Sequence, residues 1–96
     1  MAFVQIMAYT TSRRAEMDAA LEQWLEDTRD VRRARKRLLL RDRDQEHRYC
    51  EVVFFDSYED AMHNSYLPAT GELAKEAERL TEDLTFYDLE LVVDGF

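Results

Sequence analysis

The segment Tyr49 to Phe55, YCEVVFF, constrains this chain more than any other part of it. Its β-branched and aromatic residues read as a strand. Both parities are apolar: Tyr49, Val53 and Phe55 share one face with Glu51, while Cys50, Val52 and Phe54 share the other. A sheet wetted on one side alternates polar with apolar residues, so this strand predicts a sheet covered on both faces. A chain of 96 residues has helices enough for one face and too few elements for the second. Leaving Val53, Phe55 and their strand neighbours bare would expose more contiguous apolar surface than soluble monomers carry. A second copy of the chain is therefore the expected cover, which makes a homodimer the first functional expectation.

The flanking sequence supplies the rest of the sheet and its helices. Phe3 to Tyr9 (FVQIMAY) reads as a strand, and the Thr10-Thr11-Ser12 cluster after it offers Ser12 as an N-cap. From Arg13 onward, Met17, Leu21, Trp24, Leu25 and Thr28 fall on one helical face. The basic run Arg29 to Arg37 reads as the solvated C-terminal end of that helix, complementing its dipole. Leu38 to Leu40 and Tyr49 to Phe55, separated by the polar run Arg41 to Arg48, form a hairpin with a long charged tip. Ser57 with Asp60 resembles a capping box opening a short helix over Tyr58 to Ser65. Pro68 starts a second helical piece to about Thr81, striped by Leu73, Ala77 and Leu80, with Asn64 to Gly71 as the bent connection. Leu84 to Val93 closes the chain as a fourth strand, whose alternation shifts phase between Phe86 and Leu89 as at a bulge. The order is β-α-β-β-α-β in one domain over residues 1–96, an α+β, ferredoxin-like arrangement: a four-stranded antiparallel sheet with its helices on one face.

Charge and composition exclude several classes. With 13 Lys and Arg against 21 Asp and Glu the net charge is −8, which opposes phosphate binding over most of the surface, so nucleic acid is not an expected partner. Met1 to Tyr9 is too short for a spanning segment and lacks a basic lead-in, so neither membrane nor secretion is expected and the location reads as cytoplasmic. The lone Cys50 closes no disulfide and reads as a small buried hydrophobe. Two isolated histidines, His47 and His63, have no metal-ligand spacing, and two glycines build no phosphate cradle.

Val52 to Ala77 carries the most specific pattern: a strand ending in an aromatic pair, then a helix bearing Met62-His63-Asn64-Ser65 ahead of Pro68-x-Thr70. With the element order, this resembles the dimeric α/β-barrel superfamily that contains antibiotic-biosynthesis-monooxygenase-like proteins, over nearly the whole chain. The resemblance implies two sheets packed face to face in a homodimer and a small apolar or aromatic molecule held between sheet and helices. It also implies oxygenation of a phenolic substrate without any cofactor. Such sites combine an asparagine, a tryptophan and a histidine. On this chain His63 is the match in kind and the catalytic candidate, positioning or deprotonating the substrate, with Tyr9, Asn64 and Tyr66 as substrate contacts. Gln5 stands where an asparagine would be sought, and Trp24 reads as core.

Glu51 is the anomalous carboxylate, sharing parity with Tyr49, Val53 and Phe55; it is expected to pair with Arg41 or Arg48 across the hairpin. Buried without such a partner, it would have a raised pKa and the properties of a general base. Two alternatives to the oxygenase stand on the same residues. One is a non-catalytic dimeric binding or assembly module, and the other is a haem-binding protein ligated through His63.

Overall fold

The computed structural model describes residues 2–96. Its elements are β1 (Phe3–Thr10), α1 (Arg14–Asp27), β2 (Lys36–Arg41), β3 (Arg48–Phe55), α2 (Tyr58–Tyr66), α3 (Pro68–Leu80) and β4 (Glu82–Glu90). The antiparallel sheet has the order β2-β3-β1-β4, with β2 and β4 at its edges, which is the ferredoxin-like topology. No helix among the described residues is long and apolar enough to cross a membrane.

Ladder register assigns every strand residue to a face, because directly opposed residues project the same way. Phe3, Gln5, Met7 and Tyr9 of β1 stand opposite Phe55, Val53, Glu51 and Tyr49 of β3. All three helices pack on this face. Tyr9, Met17, Leu21, Tyr49, Ala77 and Leu80 form the larger core, and Phe3, Phe55 and Ala61 a smaller one under α2. Tyr9 and Tyr49 stack with centroids 6.0 Å apart. The opposite face carries Val4, Ile6 and Ala8 of β1, Val52 and Phe54 of β3, Leu38 and Leu40 of β2, and Tyr87 and Leu89 of β4. No helix covers it. The bare face is thus the Val52 and Phe54 side, not the Val53 and Phe55 side expected from sequence: the helices follow the larger aromatic set, Phe3, Tyr9, Tyr49 and Phe55.

Several local expectations change. Ser12 does not cap α1; its start, at Arg13, has no side-chain cap. Thr11 instead ties β1, α1 and α3 together: its hydroxyl accepts from the Arg13 N–H at 3.0 Å and donates to the Leu80 carbonyl at 2.7 Å. The basic run is not the end of α1, which stops at Asp27 with no base in its last turn. Most of the run crosses to β2, where Arg33 and Arg35 pair with Asp60 and Asp56 at 3.4 and 2.9 Å. Arg32 serves the helix end, donating to the Leu25 carbonyl at 2.9 Å and the Thr28 hydroxyl at 3.2 Å, which satisfies a terminal carbonyl, and Arg29 forms an ion pair with Glu26.

Ser57 caps α2 as its spacing predicts, accepting from the Asp60 N–H at 3.1 Å. The bend before α3 is tighter than the sequence implied. Leu67 alone is extended, and Pro68 opens α3 immediately after it. The irregularity in β4 lies earlier than expected. Between the Ala8–Thr85 and Thr10–Glu82 pairs, β4 has one extra residue, and Asp83 takes a left-handed backbone, φ 54°.

Candidate functional site

Between the helix-bearing face and the helices lies a cavity of about 160 Å3. Two adjacent cross-strand rows make its floor. One runs Arg37, Val53, Gln5, Asp88, and the other includes Glu51, Met7 and Phe86. Its roof is Leu21 and Trp24 of α1, Asn64 and Ser65 of α2, and Thr70 and Leu73 of α3. The exposed Phe86, Tyr87 and Asp88 bring it to the surface along β4. The walls are mainly apolar, with polar groups at fixed points, as in small-molecule sites generally. A cavity of roughly 150 Å3 takes up one benzene-sized ring.

Most of those polar groups are already engaged. The Trp24 indole N–H donates to Thr70 Oγ1 at 2.9 Å, a bond that joins α1 to α3 across the roof. Gln5 Nε2 donates to Asp88 Oδ1 at 3.1 Å. Glu51, with only 3 % of its side chain exposed, forms an ion pair with Arg37, whose Nε and Nη2 donate to the two carboxylate oxygens. Arg37 is the partner, rather than Arg41 or Arg48, because register decides it. Leu39 stands opposite Glu51, leaving Arg37 diagonal to it on the same face. Arg48 begins the strand on the other face and donates to Thr10 Oγ1. Burial pushes the Glu51 carboxyl above the ordinary glutamate range, and Arg37 only partly opposes this.

Asn64 differs from these. It is buried, it lines the cavity, and its carboxamide oxygen has no hydrogen-bond partner. A buried amide oxygen without a donor costs about 1–3 kcal/mol. An unmet acceptor on a residue that lines a cavity is one that a ligand hydroxyl could complete.

The other sequence candidates lie elsewhere. His63 is next to Asn64 on α2, but one residue is about 100° of helical rotation, and the imidazole does not line the cavity. Its Nδ1 is also buried without a partner. Tyr9 is a core residue whose phenol is pushed up to about 12, first by burial and then by Glu51 and Asp18. Tyr66 projects into solvent at 83 % exposure. Of the four residues singled out, the fold brings only Asn64 to the cavity. Sequence reasoning missed Arg37 and Thr70, and assigned Trp24 to core alone. The open request of a buried indole N–H for an acceptor was the available signal for the Trp24–Thr70 pair. Cys50 sits half-buried on the bare face, its thiol pushed up mainly by burial.

No protein-family model matches the sequence, and no curated protein does. Solved structures do match. SnoaB from Streptomyces nogalater, a cofactor-independent oxygenase, superposes with a TM-score of 0.81 at 13 % identity, over 97 % of this chain and 95 % of that one. Rv0793 from Mycobacterium tuberculosis gives 0.81 at 13 % identity over the whole of both chains. A protein described as an antibiotic biosynthesis monooxygenase gives 0.73 at 14 % identity, over 97 % and 100 %. From end to end, then, this chain has the ferredoxin-like fold of antibiotic-biosynthesis-monooxygenase-like proteins.

Proposed function

We propose that this chain is a homodimeric, cofactor-independent oxygenase of a phenolic molecule whose ring lies in the cavity between sheet and helices. The observation that carries the reading is the unpartnered, buried carboxamide oxygen of Asn64, a residue that lines an apolar-walled space of one-ring size. A phenolic hydroxyl donates to that oxygen while Trp24, Leu21, Leu73 and Met7 enclose the ring. Glu51, the buried carboxylate on the same cavity floor, is the proton acceptor. Arg37 beside it favours its ionised form and stabilises the phenolate that results. The electron-rich anion passes one electron to dioxygen, and the radical pair joins at an unsubstituted ring carbon ortho or para to the phenolic oxygen; the peroxide formed takes back the proton held by Glu51. Loss of the hydrogen on that carbon as a proton, with O–O cleavage, leaves a quinone carbonyl and one water. The hydroxyl and the ring carbon each lose one hydrogen, one oxygen atom enters that carbon, and the second departs as that water.

This moves the proton acceptor from His63 to Glu51, because Glu51 lines the cavity and His63 does not. The same placement separates His63 from any haem there, and a space of about 160 Å3 is far smaller than a porphyrin. The homodimer rests on the bare sheet face, where Leu40, Tyr87 and Leu89 remain 45–48 % exposed. Packing two such faces together would give the barrel that the sequence predicts.

The test is dioxygen uptake and product formation with a panel of single-ring phenols that have a free ortho or para carbon. Wild type is expected to turn over at least one member. Asn64→Leu, close in volume but without the acceptor, is expected to lose about 100-fold in kcat/KM, and Glu51→Gln more. Equal turnover by wild type and Asn64→Leu, or no uptake with any member of the panel, overturns the assignment.

A further inference from the structure

A second cavity, of about 190 Å3, lies between the C-terminal end of α1 and β2. It shares Trp24, Arg37 and Val53 with the ring cavity, so the two adjoin across those three side chains. Arg32, Arg35 and Lys36 also line it, and no acidic residue among those described does. In a chain of net charge −8, a hollow lined by four cationic residues and no acid is a local reversal of sign.

We propose that this basic hollow takes the carboxylate of the molecule whose ring occupies the main cavity, so that the substrate is an aromatic acid. The inference rests on the ring site proposed above and extends it to a substrate class. Three guanidiniums can act there. Arg32 is held by bonds from Nη1 to the Leu25 carbonyl and the Thr28 hydroxyl, and its guanidinium lies 5.7 Å from the Trp24 ring centroid. Those bonds leave Nε and Nη2 as donors, and they screen the negative end of α1, which would otherwise repel an anion. Arg35 is paired with Asp56 at 2.9 Å, but both side chains are more than half exposed, so the pair is readily exchanged for a ligand. Arg37 forms the shared wall, with its guanidinium on Glu51. Lys36 contributes its stem, since its ammonium lies over the Phe54 ring on the bare face, 5.7 Å from the centroid. A planar guanidinium fork matches a carboxylate better than a neutral ester or amide.

Trp24, the single tryptophan, borders both cavities and reports binding directly. The experiment titrates its fluorescence with 4-hydroxyphenylacetate and, separately, with the methyl ester of the same ring. The acid is expected to bind about tenfold more tightly at low ionic strength, with added salt weakening the acid alone. Arg35→Gln, at an exposed position that the fold does not depend on, is expected to remove most of this preference and leave ester affinity unchanged; Arg32→Gln is expected to do the same. Equal affinity for acid and ester, or a preference surviving both substitutions, overturns the acid assignment and leaves the ring site standing. Failure of both probes to bind overturns the ring site and this inference with it.

Discussion

Phe54 and Phe55 are chain neighbours of identical chemistry, and the sheet sends them into different situations. Phe55 is 1 % exposed under α2, whereas Phe54 stands on the side no helix reaches. The helix-covered face is finished within one chain: its aromatic residues are stacked, its carboxylate is paired, and its remaining space is a walled cavity. The opposite face is equally apolar along β3 and β1 but has no cover from its own chain. Apolar pattern alone therefore says that a face will be buried; what buries it is decided by connectivity and by how many elements the chain has to spend.

The largest effects should separate the two faces. Phe55→Ala is expected to cost about 4 kcal/mol in urea unfolding, with the same loss at any protein concentration. Phe54→Ala should instead act on association, with a stability loss that shrinks on dilution and a dimer that dissociates at lower dilution in sedimentation. Equal, concentration-independent losses in both would break the contrast between the faces.

Next in size is the buried ion pair on the covered face. Arg37→Met leaves Glu51 uncompensated and should cost about 3 kcal/mol at neutral pH, while Arg37→Met combined with Glu51→Leu should recover most of it. The sign with pH follows from the raised Glu51 pKa. The folded state favours the protonated acid, so the Glu51 contribution is fully present below the ordinary carboxylate range and is lost as pH rises through the folded value. The Arg37→Met deficit should accordingly shrink as the solution is acidified, which a series of unfolding curves would show.

Tyr9 gives a third test, at the alkaline end. Its phenol is held protonated up to about 12, so stability should fall between pH 10, where the unfolded chain begins to ionise, and that value. Up to about 2–3 kcal/mol is at stake, and Tyr9→Phe should flatten this limb. The smallest effect expected is about 1 kcal/mol from Ser57→Ala, through loss of the α2 cap.

How much of this was legible in the sequence varied with the range of the interaction. The order of elements, the Ser57 cap and the Pro68 start could be read because each depends on residues three or four positions apart. The junction before α1 could not: the Thr11 hydroxyl is engaged by a carbonyl 69 positions away, on Leu80. The partner of Glu51 was misread for a related reason, since hairpin register sets the diagonal and the charged tip does not fix register by itself. His63 and Asn64 stood together in the sequence as one candidate, and the helix necessarily sends adjacent side chains to different places. Arg37 carried no mark distinguishing it from the five other bases between Arg29 and Arg37. Only the row running from β2 to β4 shows that it faces the cavity.

The extra residue at Asp83 also bears on how such a chain can diverge. Everything after it in β4 inherits its phase: Phe86 and Asp88 share the face of the cavity, while Tyr87, at the cavity mouth, and Leu89 share the bare face. Were Asp83 taken into the ladder instead of bulging from it, the two sets would exchange, turning Phe86 to the bare face and Tyr87 to the helix-covered one. Whether one residue bulges or pairs therefore decides what lines the cavity and what lines the bare face in one step. Point substitution would have to alter them residue by residue.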